Sequence, residues 1–87
     1  MVPSTKLNNA FAAINAILVG ARAHAQQGGK LEELAEVLDV AEYLPRLLAE
    51  PDDRSAEFRE QLAGLAAKYP AYTFAVERFD DPKLGRW

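Results

Sequence analysis

Residues 10–25 read Ala-Phe-Ala-Ala-Ile-Asn-Ala-Ile-Leu-Val-Gly-Ala-Arg-Ala-His-Ala, and Arg22 is the one residue among them with a formal charge. A helix lying on the surface of a small monomer turns a charged face to water. This segment has no such face. It therefore predicts a helix covered on several sides, some of them by a second copy of the chain.

The size of the chain points the same way. Eighty-seven residues make one domain, and a domain this small buries only about 60–65 % of its unfolded surface. Disulfides, metals or oligomerisation usually supply the missing stability. The chain has no cysteine and a single histidine, His24. Disulfides, thiolate zinc sites, cysteine nucleophiles and multi-histidine metal sites within one chain are thereby excluded. Oligomerisation remains, so a homodimer or higher symmetric oligomer is expected.

Charge is unevenly placed. Residues 1–30 carry Lys6, Arg22 and Lys30 and no acid, whereas residues 31–60 carry ten acids against Arg46, Arg54 and Arg59. With a net charge of −3 and no basic stripe, the chain lacks an electrostatic footprint for nucleic acid. The apolar run at 10–21, followed by small-x-small triplets, has the look of a signal peptide. One leader lysine and the interruptions at Asn8, Asn9 and Asn15 argue against it. A membrane span needs about 20 apolar residues. A cytoplasmic protein, off the membrane, is the expectation.

The spacing predicts an all-α fold: a small bundle of three main helices plus a short C-terminal helix, completed by oligomerisation. The domain spans 1–79, with 80–87 an irregular tail ending at Trp87. The first helix starts near Ser4 or Thr5, either of which suits a cap. Leu7, Phe11, Ile14, Leu18, Ala21 and Ala25 form one seam at 4-3-4-3-4 spacing. Ala12, Ala16, Val19 and Ala23 form a second seam of small residues, and Asn8, Asn15 and Arg22 a polar stripe. Gly28-Gly29 ends the helix.

The second helix, 30–44, has one seam at Leu31, Leu34, Leu38 and Ala41 and another at Val37, Ala41, Leu44 and Leu48. Pro45 lacks an amide donor and is expected to kink or restart the helix, with a short turn over 45–49. An aspartate of the 50–53 loop, or Ser55, caps a third helix at 54–68, whose seam is Phe58, Leu62, Leu65 and Tyr69. Pro70 breaks it. Residues 71–79 fit either a strand or a helix; a lone strand has no partner, so a short helix is favoured.

Catalytic signals are sparse. His24 is the one side chain with a neutral-pH acid/base function, but it sits near a helix C-terminus, where a histidine is favoured for electrostatic reasons alone. Ser4 and Ser55 both fall at expected caps, so no serine nucleophile is supported. No catalytic residue and no cofactor is assigned.

Carboxylates offer a metal-binding alternative. A hard cation needs oxygen ligands from more than one direction, and two facing helices supply them through Glu57-Phe58-Arg59-Glu60 and Glu77-Arg78-Phe79-Asp80. This ExxE…ExxD spacing resembles that of the all-α nucleotide pyrophosphohydrolases of the MazG-like group. The resemblance implies Glu57, Glu60, Glu77 and Asp80 as magnesium ligands for triphosphate hydrolysis. Read without it, the same residues are a solvated acidic surface.

Tyr43-Leu44-Pro45-Arg46 suggests a bent helix lining a groove, with Tyr43, Pro45 and Arg46 facing a peptide or small ligand. The segment 38–45 (Leu-Asp-Val-Ala-Glu-Tyr-Leu-Pro) also resembles small uncharacterised helical bacterial proteins, some of them carried on mobile gene cassettes. That resemblance implies a fold and a bacterial source. Phe11, Phe58, Tyr69, Tyr72, Phe74 and Phe79 are spaced to meet in one aromatic core.

The functional expectation is a non-enzymatic interaction or assembly module. Its interface is drawn from Ala12, Ala16, Val19 and Ala23, or from the second helix through Val37 and Leu44. A small-ligand or regulatory binding protein, with a pocket between helices, is the first alternative; the magnesium-dependent hydrolase is the second.

Overall fold

A computed structural model describes residues 4–81, with side chains from Lys6 onward. The described residues form four α-helices and one 3-10 turn, with no strand: α1 (Ser4–Gln26), α2 (Leu31–Ala49), α3 (Ser55–Lys68), the turn Pro70–Tyr72 and α4 (Thr73–Asp80). The cap expected of Ser4 or Thr5, and the tail 82–87 with Trp87, lie outside the description. Asp80, expected to begin the tail, is the last residue of α4.

The breaks between helices have local causes. Gly28 takes φ +82°, the left-handed conformation that glycine adopts at no steric cost. Its amide donates to the Ala25 carbonyl and that of Gly29 to the His24 carbonyl, at 3.1 and 2.8 Å. This nested pair of bonds closes α1. Arg54 stands at the N-cap of α3 and its side chain makes no cap bond; the expected contribution of the loop is limited to Asp53, whose Oδ1 accepts the Ser55 amide at 2.9 Å. Pro70 opens the 3-10 turn, and the short helix favoured for 71–79 is present as α4. Pro45 neither ends nor restarts α2. It sits on the exposed side of one continuous helix that runs to Ala49. There, the ring meets solvent rather than a neighbouring helix.

The helices enclose one core. It is built on Ile17 of α1, Val37 and Leu44 of α2, Phe58 and Leu62 of α3, Tyr72, and Ala75 and Phe79 of α4. Phe58 and Phe79 stack with ring centroids 4.9 Å apart. The seam of α3 is as expected, with Tyr69 at its half-buried end.

Helix α1 packs mainly on α4 and then on α2, but not through either expected seam. Its buried face is Asn9, Ala10, Ala13, Ala16, Ile17 and Ala21. The larger Phe11 and Leu18 stand 55 % and 47 % exposed, so Phe11 is not part of the aromatic core. The small residues turn inward because they let α4 come close to the helix axis, and burial here follows fit rather than side-chain size.

Asn9 has a specific role in that contact. Its Nδ2 donates to the carbonyls of Phe79 and Asp81 at 2.8 and 2.7 Å, and Lys6 Nζ reaches the Phe79 carbonyl at 3.3 Å. Carbonyls at a helix C-terminus lack partners within the helix. Here α1 provides the donors for α4.

Candidate functional site

Where α1 passes the end of α3, the 3-10 turn and the start of α4, a cleft of about 530 Å³ opens. Val19, Gly20 and Ala23 form one wall, and Tyr69, Tyr72 and Phe74 form the other. A shallower hollow of about 290 Å³ continues past Val19 and Phe74 towards Ala12, Ala16 and Arg78. The small-residue seam at Ala12, Ala16, Val19 and Ala23 therefore lines both hollows. Val19 is 46 % exposed, Ala12 and Ala23 are half-buried, and Ala16 is buried.

Gly20 lets the rings of Tyr72 and Phe74 lie close against α1. A β-carbon at that position would lie 2.8 Å from a ring carbon of Tyr72 and 3.3 Å from the Phe74 ring tip. Tyr72 is buried, which pushes its phenol above the ordinary range. Its hydroxyl lies 3.4 Å from His24 Nδ1, while His24 Nε2 is 3.4 Å from Glu33. Tyr69 donates to Glu36 at 2.8 Å, and Lys68 pairs with the same carboxylate. That bond pushes the Tyr69 phenol up to about 12, and Lys68 and Tyr69 together hold Glu36 below its usual value. Lys68, Tyr69 and His24 are thus engaged with carboxylates of α2, and Val19, Gly20, Ala23 and Phe74 supply an apolar lining.

Other expected site residues are placed elsewhere. Val37 and Leu44 are fully buried inside a single chain. They fill its core and present no surface to a partner, which corrects the interface assignment for α2. Tyr43, Pro45 and Arg46 line none of the hollows described here. The Tyr43 hydroxyl donates to Glu57 at 2.7 Å, Arg46 pairs with Glu42 one turn back, and Pro45 faces solvent. Helix α2 continues through Pro45 to Ala49 without a break.

The four carboxylates are not gathered. Glu57 accepts from Tyr43 and Arg54, and Asp80 is held by Arg59 through three bonds of 2.8–3.0 Å. Glu60 and Glu77 are exposed. Among the described residues, no group of three or more His, Cys, Asp or Glu is arranged to hold a metal ion.

A different surface stands out on α1. Asn8, Phe11, Asn15, Leu18, Arg22 and Ala25 are all exposed and lie along one side of the helix. On α2, Leu31 and Leu38 are also exposed, at 83 % and 48 %. Among the described residues, no helix is long and apolar enough to cross a membrane.

Sequence reasoning missed Gly20 and Asn9. A glycine inside an alanine-rich helix signals close approach of another group, and that signal was present at Gly20. Asn9 gave no signal, because its partners are main-chain carbonyls of a distant helix.

The chain matches no protein-family model, no curated protein and no solved structure. Its functional reading therefore rests on geometry alone.

Proposed function

We propose that this chain is a non-enzymatic helical module that assembles with copies of itself. The observation that carries this reading is the outer surface of α1. Its large side chains Phe11 and Leu18 face water, while alanines fill the core side. Among the described residues nothing covers Phe11 and Leu18, and large apolar side chains exposed on one side of a helix favour an interaction site. Molar mass from light scattering after size exclusion, over a range of concentrations, tests the reading. A mass of two or more chains supports it, and a monomer at every concentration rejects it.

The cleft between Val19, Gly20 and Tyr72 favours a second reading, in which the chain binds a small apolar ligand. Its volume of about 530 Å³ lies within the range of ligand pockets. The paired state of Lys68 and His24 favours an uncharged ligand over an anionic one. Titration with an environment-sensitive apolar dye tests this. Saturable binding that is lost in Val19→Trp supports a cleft site, and dye binding unaffected by that change rejects it.

A further inference from the structure

We propose that the cleft takes an uncharged apolar molecule carrying one acceptor oxygen, such as an aryl ketone, and that the charge on His24 decides whether Tyr72 donates a hydrogen bond to that oxygen. The inference rests on the small-ligand reading of the cleft and adds to it a ligand chemistry and a control by pH.

Glu33 fixes the order of donors and acceptors along Glu33, His24 and Tyr72. A carboxylate only accepts, so the ring nitrogen beside it, Nε2 at 3.4 Å, carries the hydrogen. In a neutral imidazole the other nitrogen is then an acceptor. That nitrogen is Nδ1, and the Tyr72 hydroxyl 3.4 Å away donates to it. The ring is held in this position. It lies against Gly29, where an added β-carbon would overlap its Cδ2 and Nε2 atoms, and the Tyr69 ring stands 6.5 Å off. Burial pushes the Tyr72 phenol upward, so the hydroxyl keeps its single hydrogen, and His24 uses it.

Protonation reverses the second link. An imidazolium donates from both nitrogens, so Nδ1 turns a hydrogen towards Tyr72 and the hydroxyl accepts there. The hydrogen of the hydroxyl must then point elsewhere. Tyr72 and His24 both line the cleft, so a ligand oxygen bound there can receive it. Histidine is the one side-chain type that ordinarily changes charge between about pH 5 and 8, and the chain has a single one. The ionisable groups about its ring are Glu33 and, one turn further along α2, Glu36; Lys68 and Tyr69 at the end of α3; and Tyr72 of the 3-10 turn. None is of a type that titrates in that range.

The same groups select the ligand. A carboxylate would approach Glu33 and Glu36, and an ammonium would approach Lys68 and, in acid, a charged His24. An uncharged body suits Val19, Gly20, Ala23 and Phe74, and its oxygen suits the Tyr72 hydroxyl beside His24.

Equilibrium dialysis of the whole chain against two neutral probes of like shape, 2-acetylnaphthalene and 2-ethylnaphthalene, tests this at about pH 5.5 and about pH 8, where histidine differs in charge. 2-Acetylnaphthalene is expected to bind about fivefold more tightly at the lower pH, the worth of one net hydrogen bond, and 2-ethylnaphthalene equally at both. Tyr72→Phe and His24→Gln are each expected to abolish the difference while 2-ethylnaphthalene still binds. No saturable binding of either probe, or binding that Val19→Trp leaves intact, rejects the small-ligand reading and this inference with it. Saturable binding that Val19→Trp removes, but that is the same at both pH values, keeps the reading and overturns the inference. So does a difference of opposite sign, one that 2-ethylnaphthalene shares, or one that persists in Tyr72→Phe or His24→Gln.

Discussion

Gly20 and the ring of Tyr72 are in such close contact that a single added methyl group at residue 20 would overlap the ring, at 2.8 Å. Tyr72 is part of the buried core, so its ring has little room to retreat. Gly20→Val is expected to cost about 1–3 kcal/mol, the usual penalty for overpacking a dense interior. Gly20→Ala should cost less, because replacing a mid-helix glycine by alanine returns up to about 1 kcal/mol of helix propensity. Urea unfolding of the two variants checks the order. If Gly20→Val is as stable as the native protein, the contact is not close in solution.

Asn9→Ala should release the end of α4. The Phe79 and Asp81 carbonyls would lose the Nδ2 donor, with Lys6 still reaching the Phe79 carbonyl, and loss of a buried hydrogen bond costs about 1 kcal/mol. Amide exchange should show lost protection at the C-terminal end of α4 with little change in α3. A loss spread evenly over all helices would instead mean that Asn9 acts through general packing.

The pH dependence should have two limbs that meet at Glu36. Its folded carboxyl lies below the ordinary value of 4.5, so its contribution is present above 4.5 and falls away as pH drops through the lowered value. Tyr69 has the opposite sign. Its phenol is held up at about 12 against an ordinary 10, so its contribution is complete below pH 10 and is lost between 10 and about 12. Tyr69→Phe is expected to flatten the alkaline limb of a melting-temperature profile and to weaken the acid limb less, since Lys68 still pairs with Glu36. An alkaline limb as steep as that of the native protein would contradict the Tyr69–Glu36 bond.

Magnesium is expected to leave the melting temperature unaltered. A ligand that binds only the folded state raises stability according to its concentration and affinity, and Glu57 and Asp80 are already engaged by Tyr43, Arg54 and Arg59. A saturable upward shift with magnesium, abolished by Glu77→Gln, would restore the carboxylate reading.

Where side chains differ sharply in character, their pattern predicted the structure well. Phe58 stands among charged neighbours at the head of the Phe58–Leu62–Leu65 seam, and Val37, Ala41 and Leu44 stand opposite a row of acids, so the buried face of α3 and one of the two seams expected of α2 were readable, whereas Leu31 and Leu38 of the other seam are exposed. Helix α1 lacks that contrast. Nearly every residue from 10 to 25 is apolar, so two plausible seams were visible, and neither is the buried one. The deciding factor is how near α4 can come, which depends on the smallness of Ala10 and Ala13 and on the donor of Asn9, not on hydrophobicity. The cleft was half readable for a related reason. The alanine–valine wall follows from spacing, whereas the Tyr72–Phe74 wall depends on where the 3-10 turn after Pro70 delivers its rings.

The hydrogen bond from Asn9 to the Phe79 carbonyl joins groups seventy residues apart in sequence, and this has a consequence for synthesis. Residues 4–26 leave the ribosome long before α4, which covers most of their buried face. During that interval the alanine side of α1 and its Phe11–Leu18 side are both open to water, with α2 as the nearest cover. Neighbouring nascent chains on one message would then expose the same two surfaces at the same time. Docking of α4 in cis is what buries the alanine side of α1, so the order of emergence determines how long that side stays open to water.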